Sequence, residues 1–135
     1  MNRRTFLTIS SATLLVPLMG RAGAMGYTPG LVKKELAAGK TVFLDFKASW
    51  CTTCAAQERV INKLKAANPD YEAKIAFIDV DWDQFRGSDL VKNLSIPRRS
   101  TLVVLKGDKE LGRIVAGTSE AEIKKLMDTA LSAAS

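Results

Sequence analysis

The 135-residue chain has no histidine and only two cysteines, Cys51 and Cys54. Two thiols fall short of the four ligands, or three plus water, that zinc takes. Copper handling is disfavoured because imidazole is missing, so no metal is expected. With no third cysteine, no separate structural disulfide competes for either thiol. A run long enough to cross a bilayer, roughly 20 apolar residues, is also lacking; the stretch from Ile9 to Met19 is too short. Internal repeats, low-complexity tracts and linkers are absent, which leaves one domain with a modest core. The 20 basic residues outnumber 14 acidic ones, but no concentrated basic face emerges, so nucleic acid is not an expected partner.

What the N-terminus does contain is a charged start (Asn2-Arg3-Arg4), the short apolar run, and Arg21-Ala22-Gly23-Ala24. That pattern describes a secretory signal peptide over residues 1–24. Arg3-Arg4 followed by Thr5-Phe6-Leu7 resembles a bacterial twin-arginine export signal, with an uncleaved anchor or a Sec-type signal as the alternatives. No cysteine in this segment offers a lipid attachment point. Cleavage after Ala24 would leave residues 25–135 with 17 basic and 14 acidic residues, a surplus of three. The expected location is periplasmic, without stable membrane insertion after cleavage.

Along residues 25–135 the pattern alternates between helix and strand. Leu31 to Ala38 reads as a short helix ending at Gly39. Thr41 to Phe46 is β-branched and apolar, as in a buried central strand, except for the acid Asp45. Thr52 to Ala67 carries Cys54, Ala55, Val60, Ile61 and Leu64 at helical spacing, and Asn68-Pro69 ends that helix. Lys74 to Val80 is a second strand, Asp81 to Gly87 a loop, and Ser88 to Leu94 a short helix. Thr101 to Leu105 and Glu110 to Val115 flank Lys106-Gly107-Asp108-Lys109 as a hairpin. Ser119 and Glu122 form a capping box that opens a last helix with Ile123, Leu126, Met127, Ala130 and Leu131 on one face. Strands separated by helices imply parallel crossovers and the hairpin adds an antiparallel pair. The expected fold is α/β, a central mixed sheet of about four strands with helices on both faces.

Cys51 and Cys54 stand three residues apart where strand gives way to helix. Near a helix N-terminus, free N–H groups and the macrodipole favour an anion, which lowers a thiol pKa and makes thiolate available. Cys54, one turn on, lies on the same side and is placed to close a disulfide with Cys51. A purely structural disulfide would constrain so short a loop little. An inert buried pair is the other bland reading, and it gives no reason for export to an oxidising compartment.

The segment Leu44-Asp45-Phe46-Lys47-Ala48-Ser49-Trp50-Cys51-Thr52-Thr53-Cys54 resembles the strand, buried acid and Trp-Cys-x-x-Cys element of the thioredoxin family, closest to its periplasmic reductive branch. The resemblance runs from the helix at Leu31 to the helix ending near Leu131. It implies that Cys51 is the attacking thiolate and that Cys54 resolves the mixed disulfide. It also implies that Asp45 assists proton transfer at Cys54, with a pKa raised by desolvation. A solvent-facing Asp45 is the competing reading, since alternation puts Leu44 and Phe46 on the opposite face. Trp50 would shield the site, and no cofactor beyond the redox disulfide is implied.

The pattern departs from the family at several positions. A cis-proline usually precedes the strand that starts at Thr101; counting without gaps places Ser100 there. A non-proline cis bond costs about 2.5–4 kcal/mol, which favours a trans Arg99–Ser100 bond and a reshaped loop, with Pro97 in a shifted loop as the alternative. Arg98 and Arg99 then lie beside the site, either tuning Cys51 and meeting acidic partners or simply solvated. Phe77 stands where many thioredoxins carry a lysine paired with the buried acid, which should make Asp45 harder to ionise. The candidate residues are therefore Cys51, Cys54 and Asp45 for catalysis, with Trp50, Arg99, Ser100 and Thr101 in the substrate loop. The expected function is reduction of disulfides in exported proteins, with a membrane thiol protein as electron donor. An oxidase or isomerase, or a non-catalytic binding module, are the alternatives; Thr52-Thr53 points weakly toward reduction.

Overall fold

Residues 24–134 are described by a computed structural model; of the expected signal segment only Ala24 falls among them, and residues 1–23 and 135 lie outside the described residues. The elements in chain order are β1 (Met25–Gly26), α1 (Leu31–Ala37), β2 (Thr41–Lys47), α2 (Thr52–Ala67), α3 (Asp70–Lys74) and β3 (Ile75–Asp81). There follow α4 (Trp82–Phe85), α5 (Asp89–Leu94), β4 (Thr101–Lys106), β5 (Lys109–Val115) and α6 (Glu120–Ala133). The strands form one mixed sheet in the order β1-β3-β2-β4-β5. β2 pairs parallel with β3, Asp45 opposite Asp79, and antiparallel with β4, Asp45 opposite Leu102.

Strand alternation sends residues to two cores. Val42, Leu44 and Phe46 join Ile78, Val80, Val103, Val91 and Ile96 on the face covered by α1, α4 and α5. Phe43, Phe77, Leu102 and Val104 meet Ile61, Leu64, Tyr71, Ile123, Met127 and Ala130 on the face covered by α2, α3 and α6. Both faces of β2 are thus roofed, so the position of Asp45 on the same face as Phe43 buries it. The solvent-facing reading fails because α2 lies over that face.

The sheet has five strands where about four were expected. β1 is two residues long, too short to show alternation in a sequence, and pairs parallel with β3 through Met25 opposite Ile78. Two further short helices also differ from the reading. Lys74 closes α3 instead of opening a strand, and Trp82–Phe85 is a helical turn capped by the Asp81 side chain instead of a loop. Tyr71, fully enclosed and hydrogen-bonded to Asp128 of α6, holds α3 in place. On α2 the buried stripe is Cys54, Gln57, Ile61 and Leu64; Ala55, placed on that face by its apolar character, is exposed. The hairpin turns through Gly107, whose φ of 61° suits a residue without Cβ. The Ser119 hydroxyl accepts from the Glu122 amide at 3.3 Å and starts α6 as expected.

Candidate active site

Cys51 is the N-cap of α2, with extended backbone (φ −92°, ψ 112°), and its Sγ accepts the Cys54 amide N–H at 3.1 Å. The cap role usually falls to Ser, Thr, Asp or Asn, whose oxygen takes an orphan helix donor. Here a sulfur takes it, and the same bond would serve a thiolate. Cys51 and Cys54 form a disulfide with Cα atoms 5.2 Å apart. Both are almost enclosed, 4% and 1% exposed, and pack with Ala48 and Trp82.

Opposite the disulfide stands Ser100, with no exposed surface. Its Oγ lies 3.1 Å from Sγ of Cys51 and 3.1 Å from Sγ of Cys54. The described residues contain no cis peptide bond, so the Arg99–Ser100 bond is trans and Pro97 is not a displaced cis-proline. Ser100 instead reaches the disulfide with a positive φ of 65°. That strained conformation is held at three points. The Ser100 N–H donates to the Phe46 carbonyl at 2.7 Å, a bond a proline could not make, and its carbonyl accepts from the Ala116 N–H at 2.8 Å. The third is Gln57, whose Nε2 donates to the Ser100 carbonyl at 3.0 Å and to the Gly117 carbonyl at 2.9 Å.

Gln57 was missed by sequence reasoning. It is fully buried on α2, one turn beyond Cys54. A glutamine in a helix ordinarily marks the solvated face, and the only signal was its i+3 spacing from Cys54 within the stripe that continues to Ile61 and Leu64.

Asp45 is 5% exposed, and its Oδ1 has no hydrogen-bond partner among the described residues. Burial pushes its pKa up to about 7, and the neighbouring Asp79 carboxylate adds to the rise; Lys47 and Lys65 oppose it and Glu58 reinforces it. The lysine missing at 77 is thus replaced by two others. Lys47, two residues along the same strand, bonds Glu58 at 2.7 Å and lies 3.5 Å from Asp79. Lys65 sits 4.0 Å above the Phe77 ring. These groups line a cavity of about 180 Å³ that also touches Asp45 and Asn62. A cavity of this size with several polar groups on its wall has room for water, so Asp45 borders a space that water can enter. Cys54 stands on α2 one turn before Glu58.

The remaining candidates form the rim. Trp50 is 56% exposed, so it flanks the disulfide without enclosing it. Its Nε1 donates to the Asp83 carboxylate at 2.8 Å, and the Arg99 guanidinium lies 4.7 Å above its ring. Arg98 folds back to donate to the Arg99 carbonyl at 3.1 Å. Thr101 is buried and donates to the Arg98 carbonyl at 2.7 Å, so it ties the base of the loop. The described residues contain no cluster of metal-ligating side chains.

The profile of the thioredoxin family matches residues 29–129. Thioredoxin-2 of Saccharomyces cerevisiae is 35% identical over 91 residues, covering 67% of this chain and 81% of that protein. Thioredoxin H2-1 of Oryza sativa is 32% identical over 96 residues, covering 71% of this chain and 64% of that protein. With Thioredoxin H5 of the same plant the matched part is 56% of the relative, so the chain spans less than two thirds of these two curated relatives. Among solved structures, the thioredoxin of Malassezia sympodialis superposes with a TM-score of 0.69 at 21% identity, covering 86% of this chain and 97% of that one. Trxlp from Edwardsiella tarda gives 0.66 at 24% identity, covering 77% and 98%. These structural likenesses speak for the fold, and together with the profile match they establish that the chain belongs to the thioredoxin family.

Proposed function

We propose that this chain is a thiol–disulfide oxidoreductase of the bacterial cell envelope that reduces disulfides of exported proteins. The observation that carries the reading is the Cys51–Cys54 disulfide at the start of α2, with the Cys54 amide on the Cys51 sulfur. In the reduced protein the Cys51 thiolate attacks a substrate disulfide, forming a mixed disulfide and releasing one substrate thiolate. Cys54 then loses its proton to Asp45 and attacks Sγ of Cys51. The Cys51–Cys54 bond forms, the Cys51–substrate bond breaks, and the second substrate sulfur leaves and is protonated. Two electrons pass from the protein to the substrate. An acid with a pKa of about 7 can both take and return that proton near neutral pH. Envelope location rests on the Arg3-Arg4-Thr5-Phe6-Leu7 pattern. The reducing direction rests on the resemblance to the periplasmic reductive branch, with a membrane thiol protein returning the two electrons.

The test is Cys54→Ser expressed as the full chain. Without the resolving thiol, Cys51 should accumulate as a mixed disulfide with exported proteins, released by reductant and absent when Cys51 is also replaced. No captured partner, together with a Cys51 thiol that resists alkylation at neutral pH, would rule the mechanism out.

A further inference from the structure

The hydroxyl facing the disulfide has no counterpart where a proline occupies that place, and the preceding reading gives it no task. Both sulfurs lie 3.1 Å from Ser100 Oγ. In the disulfide neither sulfur carries a proton, so the hydrogen in these contacts comes from the serine. One O–H between two sulfurs is shared, and it is a weak bond while both are neutral. When either becomes a thiolate, the bond to that sulfur becomes charge-assisted and roughly twice as strong.

We propose that the Ser100 hydroxyl is a catalytic hydrogen-bond donor, turning toward whichever of Cys51 and Cys54 carries the negative charge during exchange. Three features of the site support this. The side chain is fully buried, where low dielectric strengthens a hydrogen bond to an anion. Its backbone is fixed by Phe46, Ala116 and Gln57, so the hydroxyl is aimed in advance of the reaction. Its positive φ is costly for a residue with a Cβ, a cost expected where a site holds a group in place. Gln57, which touches neither sulfur through any hydrogen bond described, acts as the positioning residue.

The donor serves both half-reactions. In the reduced protein it adds to the Cys54 amide in stabilising the Cys51 thiolate, and in the reverse direction it receives the Cys54 thiolate as leaving group. No proton or electron changes owner through it. Because it favours the thiolate over the disulfide, it makes the protein a weaker reductant than the same site without it.

The inference rests on the oxidoreductase reading, and Ser100→Gly and Ser100→Ala test it separately from that reading. Glycine accepts the positive φ without strain, and alanine keeps the Cβ while removing the oxygen. The charged rim groups Arg99 and Asp83, and Asp45 with its lysines behind the site, stay in place in both variants. The readouts are iodoacetamide alkylation of Cys51 in the reduced protein as a function of pH, and equilibration with a glutathione buffer. Without the donor, the alkylation midpoint should move up and the rate below it should fall by roughly three- to tenfold. The equilibrium constant should shift by a similar factor toward the disulfide, tenfold being about 30 mV. Unchanged midpoints and equilibria in both variants would overturn the proposal. Alkylation does not require turnover, so it judges Ser100 even if the wild-type protein reduces no substrate, a result that would count against the oxidoreductase reading alone.

Discussion

At the scale of single residues the most consequential group is Asp45. Its pKa rises from an ordinary value of 3.8 to about 7, chiefly through burial. Between those values the folded state holds a proton that the unfolded state has released, so folding stability falls as pH rises through this window. The neutral acid's contribution is fully present below about pH 4 and lost above the folded pKa of about 7. Asp45→Asn should therefore be more stable than wild type at pH 8, by about 2 kcal/mol or more, with the difference shrinking toward pH 4. Thermal melts of the oxidised proteins across that range would measure it. Parallel pH curves for the two would mean that Asp45 titrates alike in the folded and unfolded states, which would contradict the raised pKa. Residues of this kind were legible because their type breaks a pattern: an acid within an apolar strand, two cysteines at one helix start. Ser100 was visible only as an absent proline, and its contact with both sulfurs was not. That contact depends on a positive φ and on bonds to Phe46, Gln57 and Ala116, none of which lies within ten residues of it in sequence.

Among the elements, α2, β2, β3, the hairpin and α6 were readable because each is long enough to repeat its period. The short pieces β1, α3 and α4 were not, since they owe their form to what they pack on. α3 is the clearest case. Its five residues could not persist alone, because helices of a turn or two are unstable in water. Tyr71 anchors it, with the hydroxyl donating to Asp128 of α6, where Lys124 also bonds the carboxylate at 2.8 Å. Burial, with that bond to Asp128 next in effect, raises the Tyr71 pKa to about 12, so the hydroxyl remains a donor throughout the neutral range. Tyr71→Phe should cost about 1 kcal/mol, because Asp128 keeps its lysine and access to water. Denaturant midpoints would register the loss, while hydrogen exchange should open first at α3 and leave the amides of β2 protected. An unchanged midpoint would mean that ring packing alone holds α3.

For the whole molecule, alternation of helix and strand was enough to anticipate a mixed sheet with a helical layer on each side. It could not show that the loop before β4, the bend after β5 and the start of α2 converge at one point. That convergence is built from long-range bonds such as Gln57 to Ser100 and Gly117. It also gathers both indoles of the chain at the same place. Trp50 precedes Cys51 directly, with its ring between Arg99 and Asp83, and Trp82 packs against Ala48, Cys51 and Cys54. The chain has no other tryptophan. A disulfide accepts an electron readily from an excited indole, whereas a dithiol does not. Emission should therefore brighten when dithiothreitol opens the Cys51–Cys54 bond and dim when it closes, and an unchanged signal would contradict the packing of Trp82. The protein thus carries its own optical gauge, and every change in its oxidation state can be watched without a label.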